Sequence, residues 1–403
     1  MRRTALLIAL ALVAGQAQAA GGRWIGSWGA SPAPPMTVTS GPMAALSTPS
    51  FDNQTVIEVV RLSAGGARLR LRLTNEYGPR PLAIGAARVA LLGPDGAALP
   101  GSDRGVTFAG AASATIPAGA PLLSDPVSLP TKALARLRIS LYLPGDTHGC
   151  TCHANGNELV RVASGDATRK PPPAATDAQY RAFLSGVEVE TTAPRAPVVV
   201  AFGDSITDGY LSTAGANHRW PDRFAERLAA AFKGRPVAVV NAGIGGNRLL
   251  GESAIAIFGQ SALTRFDRDV LSVPGATHVI VLEGVNDLGS SRTAPPTAEA
   301  VIAAYRQIIA RAHAHGLKVI GGTILPYGGA AYFGAPGEAE RQKINAWIRT
   351  GHGFDGVVDF DAAIRDPARP ERMRADLQSG DWLHPNDAGY RVMGDAVDLA
   401  LFR

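Results

Sequence analysis

The chain of 403 residues is sparing with charge, aromatics and, above all, cysteine. Only 18% of it is Asp, Glu, Lys or Arg, 6% is aromatic, and there are two cysteines. No run of like charges occurs and the arginines are scattered, which argues against a nucleic-acid partner despite a formal net charge of +5. Walker A, EF-hand and H-E-x-x-H patterns are missing, so phosphate-cradling and metal-hydrolase readings lack their residues. A dinucleotide turn G-x-G-x-x-G beginning at Gly243 fails at its last position, which is Arg248. No cofactor is expected. Beyond the first twenty residues no apolar run reaches the roughly 20 residues that span a bilayer, so no membrane span is expected. The sequence shows no internal repeat and no signature of oligomeric state.

The two cysteines, Cys150 and Cys152, sit in "THGCTCHANG" between His148 and His153. Four donors this close along the chain cannot easily surround one ion, and common zinc sites draw on two separated clusters. No metal is expected. A local disulfide is the only bridge the chain permits, and it is the expected state in an exported protein.

What is present is a well-cored composition, 46% hydrophobic, in a chain long enough for two domains. Met1–Ala19 has the parts of a signal peptide: Arg2 and Arg3, an apolar core over Ala5–Ala14, and Ala17-Gln18-Ala19 as cleavage site. Export to the periplasm or medium follows. Residues 21–194 read as β-rich. "TVIEVVRLS", "ARLRLRLT", "ARVALL", "GVTFAG", "LARLRISLYL" and "FLSGVEVE" alternate and are separated by Gly, Pro, Asn and Asp. An antiparallel, jelly-roll-like β-sandwich is the expectation. Trp24 and Trp28 read as core packing of its first strand, with a sugar-stacking platform as the alternative.

"TTAPRAP" marks the boundary, and from residue 195 to 403 the pattern changes. The strands "VVVAF", "VAVVN", "HVIVLEG", "KVIGGTIL" and "GVVDF" alternate with amphipathic stretches, the last running from about Asn386 to Leu401. Five strands alternating with helices predict a parallel, doubly wound α/β sheet, whose functional residues lie beyond the carboxyl ends of its strands. Those ends carry Gly203-Asp204-Ser205-Ile206, then "NAGIGGNR", then Gly284-Val285-Asn286-Asp287, and "DWLHPND" precedes the closing helix. Ser205 is not in a G-x-S-x-G elbow, since Thr207 replaces the second glycine. It is nonetheless a candidate nucleophile, with His384 as base and Asp381, three residues earlier, to anchor the second ring nitrogen. The Ser205 and Gly246 N–H groups and the Asn286 amide are candidate oxyanion donors. Asp204 and Asp287 read as structural, bonding the turns they occupy. Tyr327, Tyr332 and Phe333, in the loop "PYGGAAYFGAPG", are candidate substrate-binding residues at the rim.

These four blocks, in order over residues 196–403, resemble those of the SGNH (GDSL-type) hydrolases. The resemblance implies a flavodoxin-like three-layer α/β/α fold and ester hydrolysis through an acyl-enzyme. It matches Ser205 to the nucleophile, Gly246 and Asn286 to the oxyanion donors, and His384 with Asp381 to the base and its orienting acid. Ile206 stands where the family has leucine. "WIGSWGASP" and "LTNEYGPRPLAIGAARVAL" are similar to the β domain of a bacterial arylesterase/acylhydrolase group with xylanase-linked members. The implied substrate is a small-molecule or polysaccharide ester carrying a short acyl group, acetyl above all, since no long apolar lid is visible. A lipase or phospholipase, a polysaccharide O-acyltransferase, and a carbohydrate-binding protein with decayed catalysis are the alternatives.

Overall fold

A computed structural model of the chain describes residues 22–38, 47–154, 156–158, 160–170, 176–178, 180–193, 196–351 and 353–403. The expected leader, Met1–Ala19, lies outside the described residues.

Alternation in the first half produces antiparallel strands. In Arg136–Leu143 every second side chain, from Leu137 to Leu143, is fully buried, while Arg136 and Arg138 face outward. Leu69, Leu71 and Leu73 repeat this in Leu69–Thr74. One sheet has four strands, in the spatial order Arg23–Gly29, Leu184–Thr191, Leu69–Thr74, Pro121–Leu123. The other has six, in the order Thr176–Ala178, Val160–Ser164, Gln54–Arg61, Arg136–Leu143, Ala86–Leu92, Arg104–Val106. Buried residues from both enter one apolar cluster. The strand Val160–Ser164 was not evident in the sequence: it is short and runs directly into the turn at Gly165.

The second half is a five-stranded parallel sheet. Its spatial order is Ala238–Gly243, Val198–Gly203, His278–Leu282, Lys318–Gly322, Gly356–Val358, the 2-1-3-4-5 order of flavodoxin-like sheets. Val198–Gly203 is flanked on both sides and all six of its residues are buried, which explains its unbroken apolar run. Helix Trp220–Ala231 packs on Asp387–Ala396, and Ala298–Ala314 packs on Ala335–Arg349. The closing helix is shorter than its sequence pattern suggests. It stops at Ala396 because Val397 is extended, and Asp398 then caps a separate 3₁₀ turn, Leu399–Phe402. No helix among the described residues is long and apolar enough to cross a membrane.

The two halves meet along strand Arg23–Gly29, which lies against Ala238–Gly243. A Cβ on Gly29 would stand 2.6 Å from the Val240 side chain, so glycine is what permits this approach. Val198, Ala238 and Val240 belong to the same buried cluster as the N-terminal sheets. Trp24 and Trp28 on this strand are only partly buried and are covered by cations. Arg70 lies 4.4 Å from the Trp24 ring centroid and Arg181 lies 5.4 Å from that of Trp28.

Candidate active site

Strand Val198–Gly203 ends in a single helical turn, Ser205–Asp208. Asp204 caps it by accepting the Ile206 N–H at 2.9 Å, and Gly209 closes it in the left-handed region at φ 91°. The first residue of this turn, Ser205, is thereby held at the carboxyl edge of the sheet.

"DWLHPND" folds onto it from the far end of the chain. Asp381 Oδ1 accepts the N–H groups of Leu383 and His384, both at 2.9 Å. Trp382 takes the left-handed conformation, φ 60°, that lets the chain double back. Asp381 Oδ2 lies 2.6 Å from His384 Nδ1, and His384 Nε2 lies 2.8 Å from Ser205 Oγ. Ser205 and His384 are both buried. Burial opposes ionisation of Asp381, but the His384 ring bond and the two backbone N–H groups outweigh it and lower the pKa to about 2. The carboxylate therefore stays charged, and the imidazole is held with Nδ1–H toward Asp381 and Nε2 toward the serine. Tyr210 packs edge-on against the His384 ring, 4.8 Å between centroids, and its carbonyl accepts the Tyr390 hydroxyl. Nothing in the sequence pattern had pointed to Tyr210.

The other two strand ends come together beside the serine. Gly246 has φ 73°, and a Cβ there would meet the Phe258 ring at 2.5 Å, so only glycine fits. Among the described residues no protein acceptor takes the Ser205 or Gly246 backbone N–H. Asn286 Nδ2 donates one hydrogen to the Asn247 carbonyl at 2.9 Å, leaving its second free. The Tyr332 hydroxyl donates to Asn286 Oδ1 at 3.2 Å and thereby fixes which way the amide faces. Asp287 does more than bond its own turn: its two oxygens accept the Leu249 and Leu250 N–H groups at 2.7 and 2.9 Å. It ties the Gly246 loop to the Asn286 turn.

Of the three rim candidates, Tyr332 and Phe333 are partly exposed, and Tyr332 serves the Asn286 amide. Tyr327 is a correction. It is fully buried and packed against the Tyr332 and Phe333 rings, so it supports the rim from beneath and does not line it.

Under the site lies a charged cluster that the sequence pattern concealed. Arg265 is buried and spends all five N–H donors. Nε reaches Asn247 Oδ1 at 2.8 Å, Nη1 reaches the Ala242 carbonyl and Asp269, and Nη2 reaches the Gly203 carbonyl and Glu283. One side chain thus joins the ends of the first two strands to the Gly246–Asn247 loop. Burial, with Asp204 adding to it, holds the Glu283 carboxyl well above the ordinary range. Burial likewise pushes Asp204 up to about 7, opposed by the Ile206 N–H. Cys150 and Cys152 are joined by a disulfide and both are buried. Among the described residues there is no group of three or more His, Cys, Asp or Glu able to hold a metal.

No curated protein matches the chain. Solved structures similar to it include a carbohydrate acetylesterase family member from Sinorhizobium meliloti, 16% identical, covering 50% of this chain and 94% of that one, TM-score 0.41. Others are a GDSL-like lipase from Bacteroides thetaiotaomicron (19% identical, 52% and 88% covered, TM-score 0.37) and a lipolytic protein G-D-S-L family member from Veillonella parvula (21%, 50% and 96%, TM-score 0.35). The model of the GDSL-like Lipase/Acylhydrolase family matches residues 201–392, the stretch that carries all four blocks and the Asp381–His384–Ser205 chain of hydrogen bonds. Residues 201–392 thus form a GDSL-like lipase/acylhydrolase domain, and the protein is an ester hydrolase.

Proposed function

We propose that the protein is an exported serine esterase acting on short acyl esters, acetyl above all, carried by a small molecule or a plant polysaccharide. Ser205 Oγ attacks the ester carbonyl as its proton passes to His384 Nε2. The oxyanion is met by the Ser205 and Gly246 N–H groups and the free Asn286 hydrogen. Collapse of the tetrahedral species expels the alcohol, which takes the proton from His384 and leaves an acyl-enzyme. Water, giving its proton to His384, then attacks the acyl carbonyl. A second collapse frees the acid and returns the proton to Ser205. Asp381 keeps the ring in the required tautomer throughout.

The observation that carries this reading is the continuous hydrogen-bond chain from Asp381 through His384 to Ser205, at 2.6 and 2.8 Å. The two antiparallel sheets are read as a jelly-roll-like β-sandwich domain over residues 21–194, preceded by a cleaved leader and followed by the catalytic domain over 195–403.

The test is hydrolysis of p-nitrophenyl esters from acetyl to palmitoyl, together with acetate release from acetylated xylan. Turnover should fall steeply beyond short chains. Ser205→Ala should lower kcat by on the order of 10⁴-fold or more while circular dichroism stays unchanged. A Ser205→Ala protein with near wild-type turnover of p-nitrophenyl acetate overturns the assignment.

A further inference from the structure

A helix of one turn cannot hold itself. It has the full cost of nucleation and almost no internal bonds to offset it. Ser205–Asp208 is such a turn, so its geometry depends on what grips its ends. Asp204 grips the first end. At the other, Asn241 Nδ2 donates to the Thr207 carbonyl at 2.8 Å and Arg219 Nε to the Asp208 carbonyl at 3.0 Å, both from the parallel-sheet half.

The remaining grip comes from the N-terminal half. Asn157 Nδ2 donates to the Gly209 carbonyl at 2.9 Å and lies 3.4 Å from that of Asp208. The Asn157 carbonyl accepts the Gly215 N–H at 3.0 Å. His153 Nε2 lies 3.0 Å from Asp208 Oδ1, and its Nδ1 lies 2.9 Å from the Ser31 carbonyl. A carbonyl has no proton to give, so Nδ1 carries a hydrogen toward Ser31. Nε2 is thereby turned toward the Asp208 carboxyl, at hydrogen-bond distance. His153, Asn157 and Asp208 are all buried.

The backbone that presents His153 is itself fastened. Cys152 is bonded to Cys150, pairs with Ala182 across a short ladder, and accepts the Ala33 N–H at 2.9 Å. Residues 150–153, unused by the hydrolytic chemistry, thus form a fastened arm whose His153 ends on the nucleophile's turn.

We propose that His153 and Asn157 are positioning residues of the ester hydrolase. Through Asp208 and the carbonyls that end the Ser205 turn, the N-terminal sheets hold Ser205 Oγ in line with His384. This inference rests on reading Ser205 as the nucleophile.

The test compares His153→Asn, His153→Gln, Asn157→Ala and the control Val160→Ala in the full chain. Val160 is a fully buried strand residue of the N-terminal half. Three quantities are read: steady-state kinetics on p-nitrophenyl acetate, the rate of Ser205 labelling by a fluorophosphonate, and Tm. Asn can replace the Nδ1 bond to Ser31 but falls short of Asp208, whereas the longer Gln can reach Asp208. His153→Asn and Asn157→Ala should therefore lower kcat and labelling about 10- to 100-fold with KM nearly constant. His153→Gln should recover most of that loss. Val160→Ala should lower Tm without a comparable fall in kcat. The proposal is overturned if Gln and Asn at 153 lose equally, if kcat tracks Tm across all four variants, or if kcat is unchanged. Labelling of the wild type but not of Ser205→Ala secures the nucleophile independently. Equal labelling of the two would bring down that reading, and the positioning role with it.

Discussion

The Asn286 amide offers the most direct test of the proposed oxyanion site. One of its hydrogens is committed to the Asn247 carbonyl, and its oxygen is held by the Tyr332 hydroxyl, so a single N–H remains for the substrate. Removing one preorganised oxyanion donor costs about 10²–10³-fold in kcat, or roughly 2.7–4 kcal/mol. Asn286 is only partly buried, so water can enter where the amide stood and recover part of the loss. That places Asn286→Ala near the lower end, about 10²-fold, with KM little changed because the interaction grows in the transition state. Asn286→Asp should be worse, since a carboxylate offers no hydrogen and sets a negative charge against the forming oxyanion. Tyr332→Phe leaves the donor but frees the amide to rotate, and should cost only about 3- to 10-fold. Steady-state and pre-steady-state release of p-nitrophenol from the acetyl ester gives all three values. An Asn286→Ala enzyme within about threefold of wild-type kcat would refute the oxyanion assignment.

Arg265→Met removes the cation beneath the strand ends, taking from Glu283 its ion-pair partner and from Asp269 one of two. Breaking a buried pair costs about 3–5 kcal/mol, and Arg268 still holds Asp269, so the lower figure applies. The urea midpoint should fall accordingly, and an unchanged midpoint would show that the cluster holds nothing together. His278 supplies a pH test. Burial, with Lys318 nearby, lowers its pKa to about 4 from 6.5. As pH falls from about 6.5 toward 4 the unfolded chain takes up a proton that the folded ring refuses, so stability is lost over that window. His278→Gln does not titrate. The stability difference between wild type and variant should be flat above pH 6.5 and decline below it, by at most ~1.4 kcal/mol per pH unit. Thermal melts from pH 4 to 8 check this, and parallel curves would contradict it.

How far the chain could be read before folding depended on the reach of each interaction. The parallel sheet was visible because its strands are contiguous apolar runs, as in Val198–Gly203. The Asp381–His384 pair was visible because its partners are three residues apart. Ser205 needed the company of distant blocks, yet these occur in a fixed order that the eye can follow. Tyr332 was found in the right loop but its bond to Asn286 was not foreseen, because nothing in "PYGGAAYFGAPG" shows which way each aromatic turns. Tyr327 turned inward, and Tyr332 turned toward Asn286. Arg265 was hidden for a sharper reason. In "SALTRFDRDVLS" it looks like one more solvated arginine on a helix, and only the carbonyls of Gly203 and Ala242 reveal its burial.

His153 brings these cases to a head. Beside two cysteines and a second histidine it suggested a metal site, then a bystander to a disulfide. Its meaning lies 55 residues away, at Asp208, in the other half of the chain. The N-terminal sheets need carry no chemistry to matter for it. A serine on a single helical turn has too few local bonds to stay in register, and Asn241 and Arg219 of the parallel-sheet half supply only part of what is missing. Because His153 and Asn157 supply the rest, a substitution in the N-terminal half should lower kcat while leaving KM nearly constant. That separation sets a docked, position-setting half apart from one that merely adds stability.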